Sequence, residues 1–272
     1  MNFQSAPLSA WIGLVGLVTI LLCALLAPWI APYDSNAIVG EVWAPSGAEF
    51  LLGTDNLGRD LLSRLLFGAR ATVFVALAAS IIAFSLGVTL SFIAVTVGGT
   101  TDQLMSRIND LFMSIPALIL ALIVLAALPS GTWTLIAVMG LIEATRVYRI
   151  GRSVALDISV MDYIEGARLR GESTLWIVFR EILPNVAAPL LGEFGLRFAF
   201  SVLYLSALSF LGLGIQPPVA DWGGMVKDNK DGIVFGISAA LVPGAAIALL
   251  AICVNLVVDW LINKSASTRR SR

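Results

Sequence analysis

Apolar residues along this chain come in long, nearly unbroken runs, and the shorter segments between them carry most of the charge. A helix needs about 20 mainly apolar residues to cross a bilayer core. Six runs are predicted as transmembrane helices: 10–30, 71–97, 111–128, 133–147, 186–211 and 234–262. The run 71–97 holds no charge at all, whereas 133–147 is the shortest and contains Glu143. No Lys or Arg precedes the first run and no A-x-A site follows it, so it reads as a retained span and not a leader. The prediction is an all-α integral membrane protein, a single transmembrane domain over 1–272. Small residues recur every four positions at Ala79, Ala83, Gly87 and Ser91, and again at Gly236, Ala240, Gly244 and Ala248. Such stripes let helix backbones approach closely in lipid, where no hydrophobic drive operates between helices.

Composition agrees with this class. Of 272 residues 58% are apolar and 13% charged, against roughly 25% charged in a soluble domain. Net charge is −1, which offers no basic surface to nucleic acid. The absence of histidine excludes Ser-His catalysis and His-ligated metal sites. Cys23 and Cys253 both lie inside apolar runs and read as small buried hydrophobes.

Basic residues set the orientation. Arg107, Arg146, Arg149, Arg152, Arg168, Arg170, Arg180, Lys264, Arg269, Arg270 and Arg272 gather on one side; Arg59, Arg64, Arg70, Lys227 and Lys230 lie on the other, and Arg197 falls within a span. The richer side is predicted to be cytoplasmic, with both termini there. The outer segment 51–70 reads as an amphipathic helix with Leu57, Leu61, Leu62, Leu65, Leu66 and Ala69 on one half of the wheel and Arg59, Asp60, Ser63, Arg64 and Arg70 on the other. It could lie in the interface, cap the outer mouth or pack as a solvated helix on the bundle. The longest inner loop, 146–184, mixes six arginines with acids and spaced apolar residues, which predicts short amphipathic helices. Gly171 is placed to end the first of them, and a second, 176–182, runs into Leu183-Pro184.

Glu165-Gly166-Ala167, Gly171 and Leu183-Pro184 resemble the EAA loop of binding-protein-dependent ABC importer permeases, with Gly166 where that pattern usually has Ala and Glu181 where it has Ile. Leu52-Gly53-Thr54-Asp55-Asn56-Leu57-Gly58-Arg59-Asp60 and Ser63-Arg64-Leu65-Leu66-Phe67-Gly68-Ala69-Arg70 resemble the outer segment of the dipeptide/oligopeptide/nickel branch. Asp110-Leu111-Phe112-Met113-Ser114-Ile115-Pro116, Ser209-Phe210-Leu211-Gly212-Leu213-Gly214 with Pro217-Pro218 and Asp221-Trp222-Gly223, and Asn255 with Asp259 are similar to that branch too. The chain is identified as resembling its C-type permease subunits over about residues 10–262.

That resemblance implies a type I importer permease fold in a bacterial inner membrane and a heterodimer with a second, homologous permease. It also implies two cytoplasmic ABC ATPase subunits and an extracytoplasmic substrate-binding protein. ATP and magnesium would be bound by the ATPases; this chain has no Gly-x-x-x-x-Gly-Lys-Ser/Thr loop, binds no cofactor or metal of its own, and is expected to be the passage and not an enzyme. Peptides or peptide-like solutes are the implied cargo. Glu165, Gly166, Ala167, Arg168 and Gly171, within 161–174, are the implied ATPase-coupling residues; Arg168 and Arg170 could instead anchor the loop at lipid headgroups.

Charges inside spans are candidates for function. Glu193, Arg197, Ser201 and Tyr204 share one stripe and either line the path or tie this helix to a neighbour; Glu143 has Arg146 or Arg149 as its nearest partner in sequence. Asp55, Arg59, Asp60 and Arg64 are the candidate outer-segment residues. The competing reading is an ion-coupled secondary transporter using Glu143, Glu193 and Asp259. No inverted repeat supports it, and no filter motif supports a channel.

Overall fold

The computed structural model describes residues 7–270, and among them it contains helices and loops but no strand. Helix α1 is Leu8–Ile30, α2 Leu61–Val97, α3 Gly99–Met113, α4 Ala117–Ala127 and α5 Thr132–Ser159. A short α6, Asp162–Leu169, and the single turn α7, Thr174–Trp176, follow. The π-helical turn Ile177–Ile182 then leads into α8, Leu183–Phe210, with α9 at Trp222–Asn229 and α10 at Leu241–Arg270.

Four helices, α1, α2, α8 and α10, are long and apolar enough to cross a membrane, and α3 with α4 adds a fifth if the bent pair counts as one span. The expected span 111–128 is broken, since α3 and α4 meet at 84°. Pro116 supplies no N–H and disfavours helix at the residue before it, so the chain leaves the helix at Ser114 and restarts at Ala117. The expected 133–147 run is the first half of a longer helix. α5 continues to Ser159 because Val147, Tyr148, Gly151 and Ala155 stay buried and Arg152 binds Asp102 of α3 through two bonds, 2.7 and 2.6 Å. The inner loop is therefore shorter than 146–184. Its far end is shortened as well, because α7, the π turn and α8 form one unbroken helical rod.

α2 and α5 form the central pair. Ala79, Ala83 and Ser91 of the first small-residue stripe are fully buried. A Cβ on Gly87 would come within 2.7 Å of Ala144 O and Val147 Cβ on α5. Gly140 of α5 meets Ile82 of α2 in the same way, at 2.7 Å. The second stripe does not form. Gly236 precedes α10 at φ +75°, ending a 3-10 turn, and Ala248 is exposed. α10 instead presents bulky residues to small ones elsewhere: Leu256 packs on Gly13 of α1 and Ile262 on Gly192 of α8. Cys23 and Cys253 are free thiols, Cys253 buried and Cys23 half-buried.

The α2–α5 contact yields a direct test. Gly87→Leu is expected to lower stability by about 1–3 kcal/mol through overpacking, read as a lower Tm of the detergent-solubilised chain. Gly47→Ala, at a position with nothing within 4 Å of a built Cβ, is expected to leave Tm unchanged.

Candidate functional site

The inner loop is a compact bracket. α6 ends at Leu169, and Gly171 takes φ +77°, a conformation that disfavours every L side chain. Gly171 N–H donates to Arg168 O at 2.9 Å and Glu172 N–H to Ala167 O at 3.2 Å, the Schellman closure that satisfies the last carbonyls of a helix. Ile164 and Ala167 are fully buried, against Ile177, Val178 and Ile182 of the π turn and Phe92 and Val95 of α2. Glu165, Arg168 and Gly171 are exposed, as are Val160 and Leu169, and Gly166 is half-buried.

Ala167, expected among the coupling contacts, therefore faces its own chain. A methyl there is what lets α6 sit close beneath the bundle. The two loop arginines are engaged within the protein: Arg168 donates to Thr96 O of α2 at 3.3 Å, and Arg170 stands 3.7 Å from Glu181, 3.9 Å from Glu172 and 5.9 Å from the Trp176 ring. Desolvation, and after it the Glu181 carboxylate, push the Tyr163 phenol up.

A second cluster joins α5 to α8. Glu143 is 1% exposed, accepts from Arg146 on its own helix, and has Arg197 of α8 3.9 Å from its other oxygen. Arg197 Nε also donates to Glu193 at 2.6 Å. Two glutamates and two arginines so form one net-neutral chain of pairs across two helices. The rest of the expected polar stripe faces protein. Ser201 is buried and lies 3.1 Å from Ser80 of α2, and Tyr204 donates to Ala117 O at 2.7 Å, which fixes the start of α4. Asp259 is exposed on α10.

The open space of the bundle lies elsewhere. A hollow of about 610 Å³ runs between α2, α3, α4 and α5, walled by Leu86, Leu90, Met105, Phe112 and Leu120, with Arg146 at its edge. Of the residues expected along a path, Glu143 reaches its edge through Arg146 and Tyr204 through Ala117, a lining residue. The hollow depends on the 84° bend, and Pro116 was its sole signal in the sequence.

The outer segment is a folded plug and not an amphipathic helix. Residues 61–70 are the first turns of α2, and Asp60 caps them by accepting from Ser63 N–H at 2.8 Å. Asp55 is fully buried; it accepts from the N–H groups of Leu57 and Arg59, both at 2.9 Å, and binds Arg59 Nε at 2.7 Å, with Arg64 Nε 3.2 Å away. Arg64 also donates to Ser35 O at 3.2 Å, so Arg59, Asp60, Ser63 and Arg64 of the wheel's polar half are tied inward, and Arg70 alone of the five is exposed. Asn229 of α9 accepts from Trp43 Nε1 and Asn56 N–H and thereby clamps the plug. Asp221 caps α9 by accepting from Gly224 N–H at 3.1 Å; burial pushes its carboxyl up, with the Gly224 and Gly223 N–H groups and Ser209 opposing.

Three measurements follow from these contacts. Because the native state of Asp221 holds its proton more tightly than the unfolded chain does, stability of the outer end is expected to fall as pH rises through the raised native pKa and to be fullest below the unfolded value. Asp221→Asn, which keeps a capping acceptor, should abolish that dependence in thermal melts taken across pH. Asp55→Ala leaves Arg59 and Arg64 with a buried partner missing and is expected to lower stability by about 3 kcal/mol. A double-mutant cycle of Glu143→Gln and Arg197→Met should show coupling of about 1 kcal/mol; strict additivity would deny the tie between α5 and α8.

Residues 87–267 match the family described as binding-protein-dependent transport system inner membrane component. Residues 9–47 match the N-terminal TM domain of oligopeptide transport permease C. A di/tripeptide transport system permease protein of Pseudomonas aeruginosa (strain UCBPP-PA14) is 36% identical over 256 residues, covering 92% of this chain and 84% of that one. A glutathione transport system permease protein of Pectobacterium atrosepticum is 32% identical over 253 residues, 90% and 83% of the two chains. An oligopeptide transport system permease protein of Bacillus subtilis (strain 168) is 30% identical over 262 residues, 96% and 86%. With an all-α bundle of apolar helices and a match across two thirds of its length, the chain belongs to the inner membrane components of binding-protein-dependent transport systems.

Proposed function

We propose that this protein is one of two permease subunits of an ATP-driven importer for peptides or peptide-like solutes. It pairs with a homologous permease, receives solute from an extracytoplasmic binding protein, and is driven by two ABC ATPases that bind ATP and magnesium. The observation that carries the reading is the bracket at 160–173. Its inner face, Ile164 and Ala167, is buried against the bundle, while Glu165, Leu169 and Gly171 project away from it. A rigid peg with an exposed end suits transmission of force from a soluble subunit, provided its contacts differ between the transporter's two states. Di/tripeptide, oligopeptide and glutathione permeases among the relatives support a peptide-like cargo.

The ion-coupled reading loses its support. Glu143 and Glu193 are both paired through Arg197, and Asp259 stands on a different helix, α10. Orientation follows the basic residues, with both termini in the cytoplasm; a reporter fused after Arg272 that is active only outside would contradict it.

Coupling is tested in vesicles carrying the assembled transporter. Glu165→Lys and Gly171→Val, the latter straining a left-handed backbone by about 1–2 kcal/mol, are each expected to cut solute uptake at least tenfold while ATP hydrolysis persists and the chain stays inserted. Normal uptake in both would refute the coupling role.

A further inference from the structure

The rod from Thr174 to Phe210 contains the one π-helical turn among the described residues, Ile177–Ile182, and it lies where α6 meets the bundle. π turns are rare and occur mostly as single-turn insertions inside α-helices, frequently at functional sites. Here the cause is local. Pro184 has no N–H, and its ring would press on the carbonyl of Arg180 in a regular α-helix. The ladder widens instead: Leu183 N–H donates to Val178 O, five residues back. Asn185 Nδ2 donates to Glu181 O at 2.6 Å, satisfying a carbonyl at the edge of the altered ladder.

Two separate contacts tie α6 to this turn. Ile164 and Ala167 pack against Ile177, Val178 and Ile182, all buried. Arg170, at the C-terminal cap of α6, reaches Glu181 at 3.7 Å. Force applied to α6 thus enters the rod at its π-helical turn, upstream of Pro189, Glu193 and Arg197 in α8.

We infer that Ile177–Ile182 is the transmission element of the transporter, which rewinds between π and α forms as α6 moves. The inference rests on α6 being the place where the ATPase subunits act. Taking up one inserted residue into a regular helix lengthens the rod by about 1.5 Å and turns its two ends relative to each other by about 100°. Rotation of α8 would then reach the Glu193–Arg197–Glu143 chain and through it α5. A rigid tilt of the whole rod would produce no such twist.

The test places spin labels at Leu175→Cys and Leu191→Cys, both exposed and on either side of the turn, with Cys23 and Cys253 replaced by Ala, in the assembled transporter in vesicles. The label-to-label distance is measured without nucleotide and with ATP trapped by vanadate. A shift of about 2 Å or more between the two states is expected; an unchanged distance in a transporter that still imports solute would overturn the inference. Pro184→Ala removes the cause of the turn, so the distance should become constant and uptake fall at least fivefold while the chain stays inserted. Full uptake in that variant would overturn the inference too. Failure of the coupling reading itself would be seen separately, as normal uptake in Glu165→Lys.

Discussion

The close approach of α2 and α5 is the constraint on which the rest of the bundle depends. In lipid, apolar side chains gain little by leaving one helix surface for another, so association relies on dense packing. Gly87 and Gly140 supply it reciprocally: each lacks the Cβ that would strike the opposite backbone or Ile82. With these two helices in contact, Ala144 and Val147 are seated, the next turn carries Tyr148 and Arg152 to α3, and α5 stays helical as far as Ser159. That end delivers the chain to α6.

Two clusters of buried charge on this scaffold are neutralised by pairing. Glu143 lies deep between α5 and α8, where an unpaired carboxylate would be costly, and it is flanked by Arg146 and Arg197. The outer plug follows the same rule, with Asp55 gathering two backbone N–H groups and two arginines. The first cluster joins two helices and the second joins the plug to the start of α2, so both hold geometry. The hollow beside the Glu143 cluster is walled chiefly by apolar residues.

The bracket and the π turn extend this construction beyond the inner end of α5. α6 is too short to be stable alone; the Schellman closure at Gly171 and burial of Ile164 and Ala167 make it a fixed peg. Its footing on Ile177, Val178 and Ile182 is the contact that joins it to α8.

Long apolar runs, the helix stop at Gly171, the i,i+4 pair Glu193–Arg197 and the ordered motifs of the permease family are local or one-dimensional signals, and the sequence by itself determined them. The membrane class, the helical fold and the family were accordingly readable there. Other features are decided by what lies across a helix interface. Arg64 and Asp60 share the polar half of a wheel that suits an interface, a cap or a solvated face alike, and the plug folds over them. Ala167 read as a contact residue, but the π turn covers it. Ser201 and Tyr204 share a stripe that suits either a path lining or a helix contact, and Ser80 and the start of α4 take them up. A periodicity reports which residues share a face; only the tertiary structure decides whether that face meets lipid, water or another helix, because in a bundle of uniformly apolar helices backbone proximity and charge pairing, and not polarity along the chain, select the neighbour.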